Sequence, residues 1–167
     1  MSATVIRNAR VLTMLAPGET RPPEGGRRGA AHGTLGILEK ADVYVDSGII
    51  VEVAPECSWS NVDHEINADG RVLMPGFVDC HTHACWAGSR LDEWERKLAG
   101  ATYQEIAAAG GGIMSTVRAV RGSTGGQLGL ELQSRTSRMA RLGSTTIEVK
   151  SGYGLRVDYE LRMLRAI

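Results

Sequence analysis

The chain has 167 residues, 43% hydrophobic and 23% charged, and its nineteen basic side chains cancel nineteen acidic ones. This is the composition of a soluble globular protein with enough apolar surface for a core, and its neutral balance predicts neither a nucleic-acid nor a membrane partner. No run approaches the ~18 apolar residues of a membrane helix, the start carries no signal-peptide pattern, and three cysteines without a CxxC pair point to a reducing cytoplasm over a disulfide framework.

In chain order, residues 4–7 and 11–15 read as two short strands. Residues 16–34, punctuated by prolines and glycines and carrying Arg21, Arg27 and Arg28, read as a surface loop with solvated charges. Residues 41–53 predict strand, turn, strand: Val43 and Val45 alternate with polar neighbours, and Asp46-Ser47-Gly48 supplies the turn. A further short strand is expected around Arg71-Val72-Leu73.

The period then changes. Phe77 to His83, directly after Pro75-Gly76, is a compact strand, and helical spacing follows. Leu91, Trp94 and Leu98 share one face, and Tyr103, Ile106 and Ala107 belong to a second segment. Gly110-Gly111-Gly112 separates that segment from a short helix near residues 114–120. Thr124 can cap a longer helix whose Leu128, Leu132, Met139 and Leu142 fall close to one side. Residues 145–149 form the next strand, and Asp158 is expected to cap a last helix carrying Leu161, Leu164 and Ile167. Strand, helices, strand, helix opens a βαβα series and predicts an α/β fold with a parallel sheet. Because the last helix runs into Ile167 without a stop signal, the chain is expected to be cut short.

The sharpest chemical signal is His81-Thr82-His83. In a strand, residues two apart face the same way, about 6.6 Å apart along the backbone. Two neutral imidazoles so placed suit zinc or ferrous iron; the alternative is a pair of strand histidines with no ion. Asp79 is either a partner for a liganding imidazole or a strand-start carboxylate. Cys85 could extend the alternation to a third ligand if the strand continued that far. Cys80 points the other way and is read as a small core residue. The Gly110–Gly112 run lacks the Gly-Lys-Ser/Thr of a phosphate loop and reads as a flexible turn.

Met74-Pro75-Gly76-Phe77-Val78-Asp79-Cys80-His81-Thr82-His83 resembles the start of the barrel in the amidohydrolase superfamily. Trp86-Ala87-Gly88-Ser89-Arg90, then Glu93 to Leu98-Ala99-Gly100-Ala101-Thr102-Tyr103, Ala109-Gly110-Gly111-Gly112-Ile113 with Ser115-Thr116-Val117, and Gly143 through Leu155, with Lys150-Ser151-Gly152-Tyr153-Gly154, narrow it to the imidazolonepropionase family. The resemblance runs from about residue 35 to the end and is dense from residue 72.

It implies the N-terminal part of a small β-sandwich over residues 1–73, and over 74–167 the first two βα units of a truncated (β/α)8 barrel. By the same resemblance, His81 and His83 bind one divalent metal ion, zinc or iron. Arg90 binds the substrate's propionate, for which a guanidinium fork is well matched, and Tyr153 contacts substrate and product. Tyr103 either lies nearby or packs. A carbamylated Lys150 is rejected, since the family looks mononuclear. The implied activity is hydrolysis of the ring C–N bond of 4-imidazolone-5-propanoate to N-formimidoyl-L-glutamate in histidine degradation, by a cytoplasmic enzyme that could be a homodimer when complete. A barrel needs about 250 residues. The family's later metal ligands, a substrate-binding His and a proton-handling Glu have no counterpart, His32 and His64 being the other histidines. No catalytic proton-transfer residue is therefore assigned within this chain. Alone, it is expected to be inactive and poorly folded. Rival readings are another cyclic amidohydrolase or deaminase, or a non-catalytic truncated remnant.

Overall fold

The structure, a computed structural model, describes residues 2–21, 23, 24 and 33–167. Part of the expected loop, with Arg27, Arg28 and His32, lies outside the described residues. The chain divides into two compact units, Met1–Pro75 and Gly76–Ile167. Among the described residues, no helix is long and apolar enough to cross a membrane.

The first unit is a five-stranded sheet built on β1 (Ala3–Leu12). β1 pairs antiparallel with β2 (Ile37–Asp46), which pairs antiparallel with β3 (Ile49–Ala54). On its other side β1 runs parallel to β4 (His64–Asn67) and, further along, to β5 (Val72–Leu73). The two short strands expected at 4–7 and 11–15 are thus one strand. Asn8 adopts a left-handed φ of 55° within it and shifts the register between Ile6 and Ala9. That bulge breaks the alternation by which a strand is recognised. Beyond Leu12 the chain turns at Met14, where φ is 59°, so residues 13–15 are not strand.

The β2–β3 hairpin turns at Ser47 and Gly48, with φ of 52° and 80°. Two consecutive left-handed residues match the right-handed twist of the flanking strands. Alternation fails in the middle of β2, where Ala41, Asp42, Val43 and Tyr44 are all buried. One face packs Ala9, Val11, Ala41 and Val43 together; the other packs Val5, Tyr44 and Cys57. Tyr44 stacks on Trp59 at 4.3 Å between ring centroids. Asp42 accepts hydrogen bonds from the Asn8 and Cys57 N–H groups and pairs with Arg7 at 3.0 Å.

The second unit begins with β6 (Phe77–Thr82), which pairs parallel with β7 (Ser144–Val149). Between them run α1 (Leu91–Leu98), α2 (Tyr103–Ala108), α3 (Ile113–Gly122) and α4 (Gly125–Arg141), and α5 (Val157–Ala166) follows β7. Thr124 caps α4 through a capping box with Gln127, which satisfies N–H groups that the first turn leaves free. Asp158 does not cap α5: Arg156 holds that position, and Asp158, inside the first turn, pairs with Arg156 at 3.3 Å. The core joins Ala84, Cys85 and Ala87 to Val120, Leu128, Leu132 and Met163. Several expected helix faces are not in it. Leu91, Trp94 and Leu98 are exposed, as are Leu142, Leu161, Leu164 and Ile167.

Candidate metal and substrate site

Parallel pairing of β6 and β7 brings two chain exits side by side, and the candidate residues lie on these exits. The Thr82 hydroxyl donates to the Glu148 carbonyl at 2.8 Å, and the Lys150 N–H donates to the Thr82 carbonyl at 2.8 Å. These bonds fix the backbone between His81 and His83. The two imidazole rings stand edge to face, 5.5 Å between centroids, and both residues are exposed. Across from them, the Tyr153 ring lies 5.6 Å from His83. A Cβ on Gly152 would fall 3.2 Å from His83 Cε1, and Gly152 sits at φ +135°, so glycine keeps the space beside this imidazole open.

The other candidates in the strand behave differently. Asp79 Oδ1 accepts the backbone N–H of His81 at 3.3 Å. Cys80 is exposed, not a core residue, because the β6 face it occupies has no layer over it. Cys85 is fully buried in the core beside the Met163 carbonyl, and burial pushes its thiol up, away from the thiolate that a metal requires. Lys150 pairs with Glu148 at 2.7 Å. Among the described residues, no group of three or more His, Cys, Asp or Glu side chains is placed to hold a metal ion. The donor set present is two imidazoles with open space beside them, which suits part of a zinc or iron coordination sphere and leaves the remaining positions to other ligands.

The loop carrying Tyr153 is tied down from outside. The Gly154 and Leu155 N–H groups donate to Glu160 Oε1 at 2.7 and 2.8 Å, and Arg121 Nε donates to the Gly154 carbonyl at 2.8 Å. Burial works to raise the Glu160 carboxyl, but the hydrogen bonds from this loop outweigh it and hold the group below its ordinary range. A carboxylate therefore anchors the loop.

Tyr153 and Arg90 line one cavity of about 240 Å³, together with Trp86, Gly88, Ser115 and Thr116. Arg90 occupies the N-cap position of α1 and caps nothing with its side chain. It turns to Glu93, with Nε and Nη2 each 2.8 Å from Oε2. Glu93 is the buried residue of α1, and its Oε1 accepts the Gly112 N–H at 3.0 Å, at the start of α3. Each group steadies the other's charge: the hydrogen bond lowers the Glu93 carboxyl and raises the Arg90 guanidinium. Tyr103 is exposed and lines a second cavity, of about 290 Å³, next to Arg90 and Glu93. The sequence assigned no bracing role to Glu93, which opens one of the resembling motifs, or to Glu160, because an acidic residue on an amphipathic helix normally faces water. The i, i+3 spacing from Arg90 to Glu93 was the available signal.

The amidohydrolase family profile matches residues 64–116. The chain is 49% identical over 146 residues to the imidazolonepropionase of Deinococcus radiodurans, covering 87% of this chain and 37% of that protein. It is 43% identical over 171 residues to the imidazolonepropionase of Solibacter usitatus, covering all of this chain and 40% of that protein. Among solved structures, an amidohydrolase matches 96% of this chain and 29% of its own at a TM-score of 0.54 and 19% identity, a likeness of fold alone. The chain spans well under half the length of the curated relatives it matches. By sequence the chain is similar to imidazolonepropionases and, over residues 64–116, to the amidohydrolase family, and its own fold is α/β.

Proposed function

We propose that this chain is part of an imidazolonepropionase, which opens the imidazolone ring of 4-imidazolone-5-propanoate by hydrolysis of a ring C–N bond to give N-formimidoyl-L-glutamate. In this reading residues 1–73 belong to a small β-sandwich and residues 74–167 form the first two βα units of a (β/α)8 barrel, completed by chain beyond this sequence. The complete enzyme works in the cytoplasm on a small-molecule substrate. The observation that carries the reading is the clustering, at the exits of β6 and β7, of a paired imidazole site with Tyr153 between it and a cavity lined by Arg90. High identity to curated imidazolonepropionases across this same stretch supports it.

His81 and His83 hold one divalent ion, zinc or iron, with further ligands from the rest of the protein. The chemistry available from such an ion is a lowered pKa for a bound water near neutral pH. Arg90 binds the propionate arm by charge-assisted hydrogen bonds, Tyr153 lies against the ring, and Trp86 walls the cavity. Arm and ring held together place the scissile bond, so that binding energy serves orientation. Proton transfer to the leaving nitrogen belongs to a group outside this chain.

The test uses the complete polypeptide as its gene encodes it, assayed for loss of 4-imidazolone-5-propanoate and appearance of N-formimidoyl-L-glutamate. Turnover is expected, lost on chelation and in His81→Ala, while Arg90→Ala weakens substrate binding far more than metal binding. Turnover of a different cyclic amide only, or no hydrolysis by the metal-loaded protein, would overturn the assignment.

A further inference from the structure

Arg90 is half exposed, with a long side chain that would sample many rotamers if left alone, yet the structure gives it one fixed edge. Nε and Nη2 both reach Glu93 Oε2 at 2.8 Å, and the carboxylate itself is buried. Glu93 cannot swing away, because its other oxygen accepts the Gly112 N–H at 3.0 Å. A guanidinium has two hydrogen-bonding edges. With the Nε edge taken, the Nη1–Nη2 edge remains for a second anion at the cavity Arg90 lines with Tyr153. Glu93 also lies on the far side of Arg90, lining the neighbouring cavity with Tyr103 and Trp94.

We propose that Glu93 is a positioning residue for carboxylate recognition: it clamps the Nε edge of Arg90 against the start of α3 and so presents the opposite edge to the substrate's carboxylate arm. This deepens the functional reading above and rests on it. The carboxylate has a second effect. It partly neutralises Arg90 from outside the cavity, so the cavity is lined by a guanidinium already paired on its other edge in place of a bare cation, and recognition depends on the directed edge more than on diffuse attraction. Anions that cannot accept two parallel hydrogen bonds, such as chloride, are then weak competitors.

The experiment is steady-state kinetics on the complete, metal-loaded polypeptide with two substrates: 4-imidazolone-5-propanoate and the same ring without its propionate arm. Wild type, Glu93→Gln, Arg90→Ala and the double variant are compared. Glu93→Gln keeps the shape but loses the charge that grips the guanidinium. It is expected to raise KM for the propionate substrate about tenfold or more, with kcat changed far less and the KM of the armless ring unmoved. In the Arg90→Ala background the same change is expected to add nothing, because Glu93 acts through Arg90. An unchanged KM in Glu93→Gln, an equal rise for both substrates, or an undiminished rise in the Arg90→Ala background overturns the proposal while leaving the enzymatic reading intact. If Glu93→Gln does not fold, Glu93→Asp, which keeps the charge but shortens the reach, is judged by the same criteria. A wild-type protein that hydrolyses neither substrate overturns both readings together.

Discussion

The two units solve the problem of a sheet edge in different ways. In the first, β1 has a partner on each side, antiparallel β2 and parallel β4 and β5, and both faces of the sheet carry buried clusters. In the second, among the described residues, β6 and β7 have only each other, and the packing is lopsided. The residues that follow β6, Ala84, Cys85 and Ala87, are buried under α3, α4 and α5, while Phe77 and Val78 at its start are exposed. Burial in the second unit is thus concentrated where the candidate site is held. The difference teaches that residues at strand exits can be held firmly on a two-stranded sheet, because the helices packed beneath those exits supply the support.

The largest effect is expected from the core beneath the site. Leu128 is fully buried, and Leu128→Ala is expected to cost about 2–5 kcal/mol in urea unfolding of the second unit, with the first unit unmoved. A matching loss in both units would show that they unfold as one. Next comes Gly152→Ala. Its φ of +135° and the 3.2 Å approach to His83 predict about 1–3 kcal/mol of strain, together with a lower metal content measured on the purified complete protein. Full metal occupancy in that variant would mean that the space beside His83 is not needed.

A smaller loss, about 1 kcal/mol, is expected for Thr124→Ala, which removes the capping box of α4. Thermal melts followed in the second unit measure it, and no shift would show that packing of Leu128 and Leu132 alone holds the helix. The smallest signal belongs to the first unit and to acid. Burial pushes the Asp42 carboxyl up, but N–H donors from Asn8 and Cys57 and the Arg7 guanidinium pull it further down, so its net shift is below the ordinary value. The stabilisation is therefore complete above the ordinary carboxylate range and lost as pH falls through the depressed value. Urea midpoints of the first unit are expected to decline from about pH 4 downward, and Asp42→Asn is expected to flatten that slope. An unchanged slope would assign the acid sensitivity to other carboxylates.

Much of this architecture was legible before any coordinates. The Ser47-Gly48 turn, the cap at Thr124 and the strand–helix–strand order of the second unit are written in local chemistry, and the structure repeats them. What stayed hidden depends on distant partners. β4 is a short, polar His-Glu-Ile-Asn segment that is a strand only because β1 offers it a parallel edge. Met163 is fully buried although the exposed Leu161 and Leu164 beside it look equally suited to a core. In the candidate site, His81, His83, Arg90 and Tyr153 were all visible in the sequence. The carboxylates that brace Arg90 and the 150–155 loop were not, since bracing is a property of geometry and not of residue type.

The stacking of Trp59 on Tyr44 has an optical consequence. Trp59 lies in the first unit, 4.3 Å from the Tyr44 ring, and Trp86 lies in the second with the Arg135 guanidinium 3.6 Å over its face. The remaining indole, Trp94, is exposed on α1. With Trp94→Phe, each unit keeps one emitter in a distinct environment, an aromatic stack in one and a cation in the other. Intrinsic fluorescence then separates the two units without a dye, and one denaturation series read at two wavelengths follows each of them.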